Sequence, residues 1–141
     1  MNYLINEGTL TLPWAAEDDS VNILKFPALG ASLVVTRAVL RDNMTVDNYI
    51  TTQMAALRKS MKNFIAGDRI TVPFSVDPAA MNATEIHCEF EQQGQRLYQC
   101  LLISQSGQSL LVLAWSQTRP FTPADIQHWK DIRASFRPVT A

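Results

Sequence analysis

An α+β fold, an antiparallel sheet of about six strands flanked by two main helices, is predicted by three features of the 141-residue sequence. Short apolar runs bounded by turn residues lie on both sides of one long stretch of helical spacing. The last three runs are separated by turns containing Gly94 and Gly107, which favour hairpins. A second helical pattern closes the chain. Strands joined by hairpins make an antiparallel sheet, and both helices can share its core.

The opening "MNYLINEGTLTLP" alternates and breaks at Gly8, which predicts a short strand pair or a bent strand. "PWAAEDDS" is a turn-rich connection in which the acidic pair Asp18–Asp19 is solvated and Asp19 or Ser20 helps the turn. In "SVNILKFP", Val21, Ile23 and Lys25 share one parity and Asn22, Leu24 and Phe26 the other; Pro27 ends the strand. "GASLVVTRAVL" is the next strand, and the short "ALG" link makes the two antiparallel neighbours. One face of it is Ala31, Leu33, Val35 and Arg37; the other is Ser32, Val34 and Thr36. The second face is small, uncharged and rich in hydroxyls. A face in open water ordinarily carries Lys, Glu or Arg, so this one is expected to meet something else.

Residues 45–64 read as a helix, because Ile50, Met54, Leu57, Met61 and Phe64 recur at steps of four, three, four and three. Thr45 is the expected N-cap, Asp47 favours the positive end of the dipole, Lys59 and Lys62 suit the last turns, and Gly67 is the stop. Gln53, Leu57 and Met61 form a line of their own, spaced by four. Methionine serves adaptable binding surfaces, and a well-packed core helix explains the same pattern.

Strands are then expected around 69–74, 84–92, 95–104 and 109–117, with 75–83 a connecting loop. The strand 95–104 is largely apolar on both faces, Leu97, Gln99, Leu101 and Ile103 against Tyr98, Cys100 and Leu102, and pattern does not fix which face lies where. The strand 109–116 behaves likewise, so both are covered on both sides. Two helices over about six strands can leave part of one face bare, and a large bare apolar face marks a binding surface. Complete coverage by the helices is the other reading. The chain closes on "TPADIQHWKDIRASF", with Thr122 as N-cap, Pro123 at the first helical position, Asp125 in the first turn, and Ile126, Trp129, Ile132 and Phe136 as the inward stripe.

Composition narrows the function. Apolar residues make up 47%, charged residues only 18%, and the net charge is −1, so no basic field exists to hold nucleic acid. The longest apolar run, "LLVLAW" at 110–115, is too short to span a bilayer, and the N-terminus has no secretory signal pattern; a soluble, cytoplasmic protein without direct membrane insertion is expected. Cys88 and Cys100 fit free buried thiols, with a disulfide across a hairpin still conceivable, and they lack the spacing of a zinc site. His87 and His128 have no nucleophile motif beside them, and Glu85, Glu89 and Glu91 on one strand parity read as a solvent face. No catalytic constellation is legible, so no enzyme, cofactor or metal is expected.

The segments "MNYLINEGTLTLP", "SVNILKF", "GASLVVTR", "YITTQMAALRK" and "HWKDIRASFR" together resemble the DcrB-related family, and in particular its Eag chaperones, the effector-associated chaperones of type VI secretion. The likeness spans nearly the whole chain as order and spacing rather than as an invariant signature. Some family relatives are secreted lipoproteins; the lack of a signal or lipid-attachment Cys near the start points to the cytosolic branch. The resemblance implies one domain similar to Mog1 and PsbP, a homodimer, and apolar grooves that hold α-helices. The implied client is the N-terminal transmembrane region of a secreted effector of Rhs or PAAR type, kept soluble and loaded on the VgrG spike. The family's groove pattern falls on Val21 and Ile23, on the hydroxyl pair Ser32 and Thr36 around Val34, and on Gln53, Leu57 and Met61; Leu97, Gln99 and Leu101 are weaker members. A Mog1- or PsbP-like module that binds a folded protein partner is the alternative.

Overall fold

A computed structural model describes residues 1–77, 79 and 81–139 of the chain. Pro78 and Ala80, within the expected 75–83 loop, lie outside the described residues. The N-terminal segment forms the hairpin β1 (Asn2–Ile5) and β2 (Gly8–Thr11), a two-stranded sheet of its own. The remaining strands are β3 (Asn22–Phe26), β4 (Ala31–Val39), β5 (Lys62–Ala66), β6 (Ile70–Pro73), β7 (Asn82–Gln92), β8 (Gln95–Ser106) and β9 (Ser109–Gln117). They form one seven-stranded antiparallel sheet in the order β3-β4-β9-β8-β7-β5, with β6 pairing the other end of β7 beside β5. Two helices, α1 (Val46–Ser60) and α2 (Pro123–Ala134), complete an α+β architecture.

The local signals account for most of these elements. A single 3-10 turn, Pro27–Leu29, links β3 to β4 and ends on Gly30 at φ 58°, a left-handed conformation that glycine adopts without strain. Gly94 and Gly107 do the same in the β7–β8 and β8–β9 turns. Thr122 and Asp125 form a capping box at the start of α2, with Pro123 in the first turn. Thr45 caps α1 by accepting from the Asn48 N–H at 3.1 Å.

Three details depart from the sequence reading. The helix ends at Ser60, not Phe64: Met61 is its C-cap in an extended conformation, and Lys62–Ala66 is a further strand. A bulge in β5, with Asn63 at φ 52°, turns Phe64 and Ala66 toward the same core that α1 packs on, so the helical spacing is met by a helix followed by a strand. Glu85 is not part of a solvent face; it is 5% exposed and lies beneath α2. In the 14–20 connection Ser20 helps the turn as expected, its N–H donating at 2.9 Å to Asp18 rather than to Asp19.

The sheet has a core on each side. On one side α2 seals Leu33, Cys100, Leu102, Leu113 and Trp115 with Trp129. On the other, α1 seals Ile86, Cys88, Leu101, Ile103 and Leu110 with Ile50. Both cysteines are free and buried. Register pairs His87 with Cys100 and Cys88 with Gln99, which sends the two thiols to opposite faces of the sheet and rules out a bridge between them.

Candidate functional site

Register decides which side chains share a face. Ile23 pairs with Val34 and Lys25 with Ser32. Across the next strand Ser32 pairs with Ser116, Val34 with Ala114 and Thr36 with Val112. Those residues pair in turn with Gln99, Leu101 and Ile103. Ser32, Val34, Thr36, Leu97, Gln99 and Leu101 therefore all belong to the α1 face, with Ile23 and, one alternation further, Val21 at its edge. The parity of β8 that pattern left open is settled by this pairing.

The helix covers only part of this face. Ile50 on α1 is fully buried, and beneath the helix Leu101 is down to 9% exposure, inside the intramolecular core. Toward β3 the cover thins: Ser32, Val34 and Thr36 are half-buried, while Val21 and Ile23 are 51% and 59% exposed. At about 100° per residue, Thr51, Ala55 and Arg58 lie on one flank of α1, turned toward β5 and Gly67. Gln53 and Leu57 fall on the opposite side of the Ile50–Met54 stripe, toward the open half of the sheet. Gln53 is exposed and Leu57 half-buried. Met61 is half-buried at the cap and does not continue the helical line.

The open half has a graded chemistry. Its apolar row is Ile23, Val34 and Ala114; its polar row is Lys25, Ser32, Ser116 and Gln99. The Gln99 side-chain N–H donates to the Ser116 hydroxyl at 3.0 Å, which fixes the amide on the floor. Ser116 was not singled out in the sequence; its alternation with Ala114 opposite Ser32 and Val34 was the available signal. With strands about 5 Å apart, the row from Ser32 to Gln99 spans roughly 10 Å, the width of one α-helix with side chains. The face is a shelf rather than an enclosed chamber: a cavity of about 810 Å³ lies elsewhere, near Arg37, Ser104, Leu111 and Phe136.

The groups that carry proton chemistry lie under α2. Glu85 accepts from Trp129 Nε1, from Arg133 Nη1 at 2.6 Å, and shares a hydrogen bond with His87 Nε2 at 3.1 Å. Burial alone would raise its carboxyl, but those bonds and the Arg133 charge outweigh burial and hold it at about 2. Cys100 Sγ lies 3.6 Å from His87 Nε2, but burial pushes its thiol up to about 12. A thiol so far from ionisation is not a nucleophile at neutral pH. This cluster locks α2 to the sheet. No group of metal-ligating side chains gathers among the described residues, and no described helix is long and apolar enough to cross a membrane.

Comparison with known proteins follows the same outline. The DcrB family model matches residues 7–135. The chain is 24% identical over 144 residues to Effector EagT6 of Pseudomonas aeruginosa, an alignment covering 96% of this chain and 94% of that one. Among solved structures it is similar to the crystal structure of PA94, a Pseudomonas aeruginosa protein of unknown function, with a TM-score of 0.72 and 23% identity. That alignment covers 100% of this chain and 98% of the other, and the likeness is one of fold.

Proposed function

This chain belongs to the DcrB family, and on that premise we propose that it is an Eag-type chaperone and adaptor of type VI secretion, without catalysis of its own. The observation that carries the proposal is the half-open α1 face, where a small hydroxyl-bearing floor runs between the Gln53 flank of α1 and the exposed aliphatics of β3. Its occupant is an apolar helix from the N-terminal transmembrane region of a secreted effector of Rhs or PAAR type. Such a helix offers few polar side chains, so affinity comes from burying aliphatic surface, at about 25 cal/mol per Å². Close approach requires small floor residues, and Ser32, Ala114 and Ser116 provide them. Gln99, Thr36 and Gln53 supply the few hydrogen bonds that set orientation. Val21, Ile23, Val34, Leu57 and Leu97 are the walls. Leu101 and Met61 act from behind, by holding α1 in place. The protein works as one domain in the cytoplasm, as a homodimer that presents two such grooves, and delivers its client to the VgrG spike.

Coexpression tests this. The effector's N-terminal segment becomes soluble and copurifies with the chain. If the segment is equally soluble, or equally insoluble, without the chain, the proposal is wrong. Affinity for a globular partner with none for apolar helices would instead establish a Mog1- or PsbP-like binding module.

A further inference from the structure

The opposite flank of α1 carries a different chemistry, independent of the groove. Thr51, Ala55, Arg58 and Lys59 form one helical stripe that, with Gly67 and Arg69, encloses a concavity of about 680 Å³. Small residues create the space: Ala55, Gly67 and the neighbouring Ala66 put no more than a methyl group on its wall. Three cationic side chains line it and no acidic one does. Arg69 is oriented in advance, its Nη2 donating to Thr51 Oγ1 at 2.8 Å and its Nη1 to the Asp47 carbonyl at 3.4 Å. Its ion-pair partner, Asp47, stands 3.9 Å away on an exposed side chain and neutralises it weakly. The Arg58 guanidinium is steadied over the Phe64 ring, 5.7 Å from its centre. Neither Arg58 nor Lys59 forms an ion pair among the described residues. The helix dipole explains two basic residues in the last turn of α1. It does not explain a third, converging from the start of another strand with a concavity between.

We propose that this pocket receives an acidic segment of a protein partner, one carboxylate side chain seated between Arg58 and Arg69 with an adjoining apolar side chain against Met54 and Ala55. Guanidinium groups match a carboxylate in two-point geometry, and the apolar lining favours a peptide over a bare ion. The net charge of −1 gives no broad field for a polyanion, so recognition is local and selects a short acidic stretch rather than nucleic acid.

The test uses the full chain and a fluorescein-labelled peptide of Glu and Leu, with the same peptide carrying Gln for Glu as comparison. The acidic peptide binds, its affinity falls with added salt, and amide NMR signals of Ala55, Ala66 and Gly67 move on titration. R58Q/K59Q weakens binding by about tenfold, from the lost Arg58–carboxylate pair and the lost Lys59 charge beside it, while keeping the melting profile of the parent. Lys130→Gln, on α2, leaves binding unchanged. Equal affinity for the Gln peptide, unchanged affinity in R58Q/K59Q, displacement of the peptide by equimolar inorganic phosphate or by an oligonucleotide, or no binding at all would each overturn the proposal.

Discussion

Replacing Glu85 by Gln removes a buried charge while keeping the side chain's shape. Glu85 anchors α2 through Trp129 and Arg133, which lie 44 and 48 residues further along the chain. Its carboxyl drops from an ordinary 4.5 to about 2 on folding. At about 1.4 kcal/mol per pH unit, that drop corresponds to about 3 kcal/mol of stability. The sign follows from the depressed value: the contribution is complete above pH 4.5 and disappears as pH falls through about 2. Arg133 is nearly buried as well, so the Gln variant leaves a cation with no full partner. Urea unfolding followed by Trp fluorescence, repeated from neutral to strongly acid pH, measures the effect. At pH 7 E85Q is less stable by about 3 kcal/mol, and the gap between the two proteins closes below pH 4.5. Asp125 also titrates in acid, because Arg119 foremost holds its carboxyl far below the ordinary range, but it does so equally in both proteins and cancels in the difference. A pH-independent gap, or a gap under about 0.5 kcal/mol at neutral pH, would refute the reasoning.

Thr122→Ala removes the side chain that accepts from the Asp125 N–H at 3.2 Å, and destabilises the protein by about 1 kcal/mol in the same unfolding assay. Cys88 and Cys100, with burial pushing their thiols up to about 11 and about 12, react with a thiol reagent only as fast as the protein opens; intact mass after mild oxidation stays that of the dithiol. Leu101→Ala costs about 2–5 kcal/mol, the range for a core leucine, while Ile23→Ala costs under about 1 kcal/mol, because Ile23 is 59% exposed.

Where local chemistry decided structure, the sequence was legible. The Thr122–Pro123–Asp125 start of α2 and the Gly94 and Gly107 turns are set by residues within reach of one another. The hydroxyl face of β4 was legible for the same reason: alternation alone separates Ser32 and Thr36 from Leu33 and Val35. The end of α1 was not. No Gly or Pro stops the chain after Ser60, and Phe64 keeps the helical spacing while reaching the core from a bulged strand. Glu85 shares a parity with Glu89 and Glu91, and only the distant Trp129 and Arg133 distinguish it. The coverage of the sheet was also invisible locally, since it depends on where α1 lies. That placement puts Leu101 under the helix and leaves Ser32, Val34 and Thr36 half-open, although the family resemblance assigned all four to one groove.

The central claim is that the half-open face, and not the interior, holds an apolar helix. The most direct measurement is copurification of an effector's N-terminal transmembrane segment with the Ser32→Arg variant, alongside its melting temperature. Ser32 is half-buried on the floor, opposite Lys25 and Ser116, so an arginine there fills the shelf with charge while its own long stem can reach solvent. The account predicts a variant that melts as the parent does and captures no client. Capture at the parental level would contradict it, and so would a variant that fails to fold, which would make Ser32 part of the core.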